Sequence, residues 1–284
     1  MSRHAASVRR QNGMMKLVVD IVTSLFGGLA MPCTQSVDLS VFYIEHGVGT
    51  PIVFVHGNWA TSSWWEPVLE RLPDGLHGFA YDMRGRGRTV GPDSDYSIPS
   101  LAADLKEFGE TLGLGPFHVV GHSLGSAVAM QFALENFEVA RTLTAVSPAW
   151  VDGLRIRESD EANQRELKRN RDLFNQQMNI LCPRVYHGEY WNRLLDEGHQ
   201  QRLEASLGVL GAFQDWRPGD RLQTIRCPKL VIGGERDPLC DLNVVTRAAK
   251  ALSADFVMMH GVGHGPIIEA ADVCVKYMCT NIQS

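Results

Sequence analysis

The chain has 284 residues, 44% of them hydrophobic and 21% charged, with a formal net charge of −5. That much apolar sequence can bury a full core without disulfides or a structural metal. The mild acidic balance gives no sign of the basic face that a nucleic-acid partner requires, so none is expected. The six cysteines, Cys33, Cys182, Cys227, Cys240, Cys274 and Cys279, form no CxxC pair and stand at no zinc-finger spacing from a histidine. They read as buried or idle thiols that suit a reducing compartment, and a cytoplasmic location is expected.

In chain order, Arg3, Arg9, Arg10 and Lys16 precede an apolar run, Leu17 to Met31, that has the outline of a signal peptide. Asp20 interrupts it and no small-x-small cleavage site follows. The run is too short and too polar to span a bilayer. Residues 1–35 are therefore expected to be an extension or an amphipathic helix rather than an export signal, with Met14-Met15 as an alternative start.

Val37 to Tyr43 alternates apolar and polar residues and predicts an antiparallel edge strand. Pro51 to Val55 is apolar throughout, as a strand covered on both faces must be. Ser63-Trp64-Trp65-Glu66 has capping-box spacing, and Trp65, Val68, Leu69 and Leu72 then share one helical face. A second stripe, Leu101, Leu105, Phe108 and Leu112, is opened by Pro99 and closed by Gly113. Further apolar runs at Phe117–Val120, Leu143–Val146, Lys229–Ile232 and Phe256–Met259 predict buried strands. Strands alternating with helices make βαβ units, so the class is α/β with a mostly parallel sheet. The rhythm breaks over residues 150–221, where charged helical sequence runs from Glu161 to Asn179, Glu189 to Glu197 and Gln200 to Phe213. An insertion there would sit above the carboxyl ends of the strands, where α/β proteins bind ligands. The alternative is a helical pair packed elsewhere on the surface.

Gly121-His122-Ser123-Leu124-Gly125 follows one buried strand and precedes a helical run, Ala127 to Ala133. A serine on so tight a strand-to-helix turn is forced into an unfavourable backbone conformation, and small residues two positions away let strand and helix approach. The hydroxyl is barely acidic, so Ser123 needs a base, and the base needs an orienting carboxylate.

From about Val37 onward the chain resembles the α/β-hydrolase family, whose triad runs in the order serine, acid, histidine. Val231-Ile-Gly-Gly-Glu-Arg-Asp237-Pro matches the family's acid after a late strand, and Gly261-Val-Gly-His264-Gly-Pro matches its histidine loop. The resemblance implies Ser123 as nucleophile, His264 as base and Asp237 as orienting acid. His260 is the rival base and Asp152 the rival acid; Glu235 is expected to point elsewhere, and His122 to pack beside the serine. His56-Gly57-Asn58-Trp59 matches the oxyanion loop, so the implied donors are the main-chain amides of Asn58 and Leu124. Asp82-Met-Arg84-Gly85-Arg86-Gly87-Arg88-Thr89 resembles the family's DxxGxGxS stretch; its arginines read as ion-paired or solvated more readily than as an anion site.

The implied architecture is an eight-stranded, mostly parallel sheet flanked by helices, with residues 36–149 and 222–284 as core and 150–221 as a helical cap. The implied activity is two-step cleavage of a small carboxylic ester or lactone. Carbon–carbon or amide cleavage by the same triad, or a slow-turnover ligand receptor, remain alternatives. A serine at 123 counts against the aspartate-nucleophile dehalogenases and epoxide hydrolases. No cofactor is implied, and no residue set matches a metal site. Trp59, Trp150, Trp64, Trp65 and Trp191 flank the expected cleft and suggest an apolar or aromatic substrate, or else are plain core.

Overall fold

The computed structural model describes residues 33–35, 39–92 and 95–284; the expectations for residues 1–32 and for the start of a strand at Val37 lie outside them. Eight strands form one sheet: β1 (Cys33–Gln35), β2 (Ser40–Gly47), β3 (Gly49–Val55), β4 (Gly75–Tyr81), β5 (Phe117–His122), β6 (Ala140–Val146), β7 (Lys229–Gly234) and β8 (Asp255–Met259). Their order is β1-β2-β4-β3-β5-β6-β7-β8. Pairing is parallel from β4 to β8 and antiparallel for β1–β2 and β2–β4. The helices are α1 (Glu66–Leu69), α2 (Ile98–Thr111), α3 (Leu124–Glu135), α4 (Glu158–Arg169), α5 (Arg171–Leu181), α6 (Glu189–Gln200), α7 (Leu203–Asp215), α8 (Leu242–Leu252), α9 (Pro266–Glu269) and α10 (Ala271–Gln283).

The unbroken apolar runs have their explanation in the pleat. Successive side chains of β3 point to opposite faces, and Val53 and Val55 join one buried cluster while Ile52 and Phe54 join the other. The first cluster takes Leu101, Leu105 and Phe108 of α2 and the apolar side of α3; the second takes Trp65, Val68 and Leu69 and the inner face of α10. Helices on both faces leave no room for polar alternation.

Three local readings are corrected. β2 reaches Gly47, and β1 rather than β2 lies at the sheet edge. Its polar continuation is a cross-strand pair, Glu45 with His77 at 2.9 Å, which breaks the apolar pattern without ending the strand. The capping residue before the Trp64-Trp65 turn is Thr61, whose side chain accepts from the Ser63 amide. Glu66 does not reach back, because its carboxylate binds Arg193 of α6, and the turn is 3₁₀ over Ser62–Trp65 before α1 begins. Finally, the helix read from Glu161 to Asn179 is two: Asn170 leaves helical geometry (φ −114°, ψ 98°) and caps α5 by accepting from the Leu173 amide. A short polar side chain that can satisfy a helix's first amides favours this break.

The four helices α4–α7 lie between β6 and β7 in the chain. Leu167, Phe174, Trp191 and Leu194 from α4, α5 and α6 join the second cluster, and Val209 and Phe213 of α7 join the first. No helix among the described residues is long and apolar enough to cross a membrane.

Candidate active site

β5 is buried to its last residue and α3 begins at Leu124, so Ser123 alone makes the turn, at φ 52° and ψ −118°. Such backbone costs about 1–3 kcal/mol in a non-glycine residue and persists only where the surroundings impose it. Here the Ser123 amide donates to the Val146 carbonyl (2.9 Å), and the Ser123 carbonyl accepts from the Ser126 amide (2.9 Å) and hydroxyl (2.6 Å). The flanking glycines are required by close approach: a methyl on Gly121 would lie 2.1 Å from the Gly125 carbonyl oxygen, and one on Gly125 would lie 2.1 Å from that of Val55. Gly125→Ala is therefore expected to cost about 3 kcal/mol by overpacking. Thermal unfolding should show a Tm lower by roughly 6–10 °C; an unchanged Tm would mean that strand and helix are not in backbone contact.

Asp237 stands in the turn after β7. One carboxylate oxygen accepts from the amides of Leu239 (2.8 Å) and Cys240 (2.9 Å), and the other accepts from Nδ1 of His264 at 2.8 Å. Burial pushes this carboxyl up, but the charge and hydrogen bond of His264 and the two amides outweigh it and hold it at about 2. With the Nδ1 proton committed to Asp237, Nε2 is the basic nitrogen of His264. The rivals are engaged elsewhere. Asp152 makes two 2.7 Å bonds to Arg247, and Glu235 accepts from the Gly261 amide and pairs with exposed His260.

The backbone of His264 is fixed from three sides. Its carbonyl accepts from Nε2 of His122 (2.7 Å) and the Ser147 hydroxyl (3.1 Å), and its amide donates to the Leu181 carbonyl at the end of α5 (2.6 Å). The Glu269 carboxylate gathers the amides of Gly263, Gly265 and Arg184. His122 thus does more than pack beside the serine: its ring lies 5.1 Å from that of His264 and stacks on Trp64. Burial, aided by the charge of His264, pushes its pKa down to about 3, so it is a neutral donor.

The oxyanion-loop candidate follows β3. His56 donates from Nδ1 to the Gly57 carbonyl (2.8 Å) and accepts on Nε2 from the Met83 amide (3.1 Å). Burial, with the charge of Arg86, pushes its pKa down to about 3, so the neutral tautomer is fixed. A methyl on Gly57 would lie 3.2 Å from Cβ of Ser123, which puts this loop directly against the elbow. Leu124 opens α3, and the first amides of a helix have no intrahelical partner. The side-chain oxygen of Asn58 accepts from Gln201 (2.9 Å) and Arg86 (3.3 Å).

The three arginines diverge. Arg84 pairs with Asp104, Arg88 lies 3.7 Å over the Phe42 ring, and Arg86 is buried with no carboxylate in reach among the described residues. The tryptophans divide. Trp65 and Trp191 are core, Trp150 packs edge-on against Phe213, and Trp59 gives its indole N–H to Gln164 and its ring to Phe174. Ser147, Gln201 and Glu269 were not singled out from the sequence. Ser147 directly follows the end of β6, a signal that was available, whereas nothing local marks the other two.

Among the described residues Asp237, Cys240 and His264 could offer three ligand atoms, all within 4.8 Å of one another. His264 and Asp237 spend theirs on each other, and burial pushes the Cys240 thiol well above its usual range while it points to the Ser147 carbonyl. The donor set fits a shared proton better than a metal ion.

A family model described as the alpha/beta hydrolase family matches residues 52–276. A Rhizobium rhizogenes protein provisionally named carbamate hydrolase RutD is 30% identical over 229 residues, covering 74% of this chain and 84% of that one. N-formylmaleamate deformylase of Pseudomonas putida is 35% identical over 108 residues, 37% of this chain and 40% of that one. The esterase EaEST of Exiguobacterium antarcticum superposes with a TM-score of 0.80 at 20% identity, over 89% of this chain and 99% of that one.

Proposed function

Because the chain belongs to the alpha/beta hydrolase family, we propose that it is a serine hydrolase that cleaves a small carboxylic ester or lactone through Ser123, His264 and Asp237. The observation that carries this reading is the 2.8 Å bond from His264 to Asp237, in a loop whose His264 carbonyl accepts from His122, the residue preceding Ser123. Nε2 of His264 takes the Ser123 proton as the hydroxyl oxygen attacks the carbonyl carbon. The amides of Asn58 and Leu124 receive the negative oxygen, each contributing about 3 kcal/mol to the transition state. The imidazolium, stabilised by Asp237, gives its proton to the departing alcohol, and water then releases the acid by the reverse path. Residues 150–221 act as a cap that selects the substrate, and the buried free thiols suit a cytoplasmic site of action.

A second reading has support from the relatives' names: a carbon–nitrogen bond of the carbamate or formamide kind as the target. The same residues serve it, since only the leaving group differs. A fluorophosphonate probe is expected to add one covalent group at Ser123, located by peptide mass spectrometry. Turnover on p-nitrophenyl esters and lactones against N-formyl and carbamate substrates then separates the two readings. An unlabelled Ser123 in folded protein would end both.

A further inference from the structure

The Gly57–Trp59 turn is held in a costly shape. Trp59 has φ 54°, left-handed backbone that a bulky residue rarely adopts. Besides His56 on the Gly57 carbonyl, the restraint comes from the inserted helices. Gln201, directly after α6, is 3% exposed and its amide is fully used. Its oxygen accepts from the Trp59 main-chain amide (2.9 Å), and its nitrogen donates to the Asn58 side-chain oxygen (2.9 Å) and the Ser206 hydroxyl (2.7 Å). One turn earlier the backbone of Gly198 lies against the Trp59 carbonyl, so closely that a methyl there would be 2.4 Å from the oxygen. Thr61 donates to Glu197 on the same helix (2.5 Å). From below, buried Arg86 reaches the same Asn58 oxygen.

We propose that Gln201 is a positioning residue for the oxyanion hole, an amide borne by the insertion that holds the turn so that the Asn58 N–H stays aimed at the developing negative oxygen. This rests on the serine-hydrolase reading above. Gln201 touches neither substrate nor reacting atoms; it acts through Trp59 and Asn58. A left-handed Trp59 that lost its amide partner would leave a buried donor unsatisfied, and the turn would relax toward ordinary backbone. The oxyanion donors depend on ångström-level placement, so such a relaxation weakens transition-state binding more than ground-state binding.

The test is Gln201→Met, which keeps the volume and removes all three bonds. Active sites are counted by fluorophosphonate labelling, so misfolded protein does not enter the rate. The expected result is kcat per labelled serine lower by about 10- to 100-fold, with KM within about twofold. The affinity for a trifluoromethyl ketone, which forms an oxyanion adduct on the serine, should fall by the same factor as kcat. A residue that only stabilised the fold would lower the labelled fraction and leave both of the other quantities alone. The proposal is overturned if kcat per labelled serine is unchanged, or if it falls while the ketone binds as before. Should Gln201→Met give no folded protein, Gln201→Asn, one methylene too short to reach Trp59, carries the same expectations. Wild-type labelling and loss of turnover in Ser123→Ala must hold first. If they do not, the hydrolase reading has failed and this proposal goes with it, whatever Gln201 does.

Discussion

Ser123→Ala is expected to lower kcat on any ester the protein hydrolyses by about four to six orders of magnitude. The change removes one oxygen and leaves Cβ where it is, beside Gly57, and the bonds that impose the bend, to Val146 and Ser126, engage residue 123 through its main-chain atoms alone. Stability should therefore move by no more than about 0.5 kcal/mol. The measurement pairs a thermal melt with steady-state turnover on a p-nitrophenyl ester and with fluorophosphonate labelling. All labelling should vanish. Residual turnover of about a thousandfold over water would be the oxyanion hole and binding acting alone. Retention of more than a few per cent of wild-type kcat, in protein with an unchanged melt, would remove Ser123 from the mechanism.

Asp237→Asn should cost about four orders of magnitude in kcat with a smaller change in KM. Its size comes from a proton in the wrong place. The carboxylate can only accept, which keeps the proton of His264 on Nδ1 and leaves Nε2 basic. An asparagine amide can instead donate to Nδ1, which puts the ring proton on Nε2, where it can take nothing from a serine. A nitrogen NMR spectrum of the ring reports the tautomer directly; wild-type tautomer with lost activity would point to a fault other than orientation. The acid side of stability should change as well. The folded pKa is depressed, from 3.8 to about 2, so the pair's contribution is complete above 3.8 and is lost as pH falls through about 2. In the asparagine variant that part of the acid-denaturation curve should disappear. A curve unchanged from wild type would mean that the carboxyl is not held down by its histidine.

The parts legible in the sequence were those written in local pattern. The unbroken run Pro51–Val55 announced a strand covered on both sides, and the two faces of β3 bear this out. Gly121 and Gly125 flanking Ser123 announced a backbone contact, and they make one. Asp237 and His264 lie 27 residues apart and meet, as their places after successive strands implied. What stayed hidden is long-range. Gln201 meets Trp59 across 142 residues, and no spacing rule connects a polar residue at a helix end to a loop so distant. Glu269 acts on main-chain amides, which leave no trace in residue identity. The tryptophans were left undecided for another reason: a large ring near a cleft has the same composition whether it faces a ligand or the core, and Trp65 and Trp191 are buried outright. Asn170 broke a helix that hydropathy alone would have continued.

Residues between β6 and β7 hold the loops of both His264 and Asn58, through the main chain of Leu181 and Arg184 on the histidine side and the side chains of Gln164, Glu197 and Gln201 on the other. Transplanting this segment from a relative to alter substrate choice is therefore not a modular exchange. A donor graft lacking the three side-chain anchors Gln164, Glu197 and Gln201 would hand over a new lining and a slack machine, and selection for speed afterwards should restore those anchors before it refines the lining.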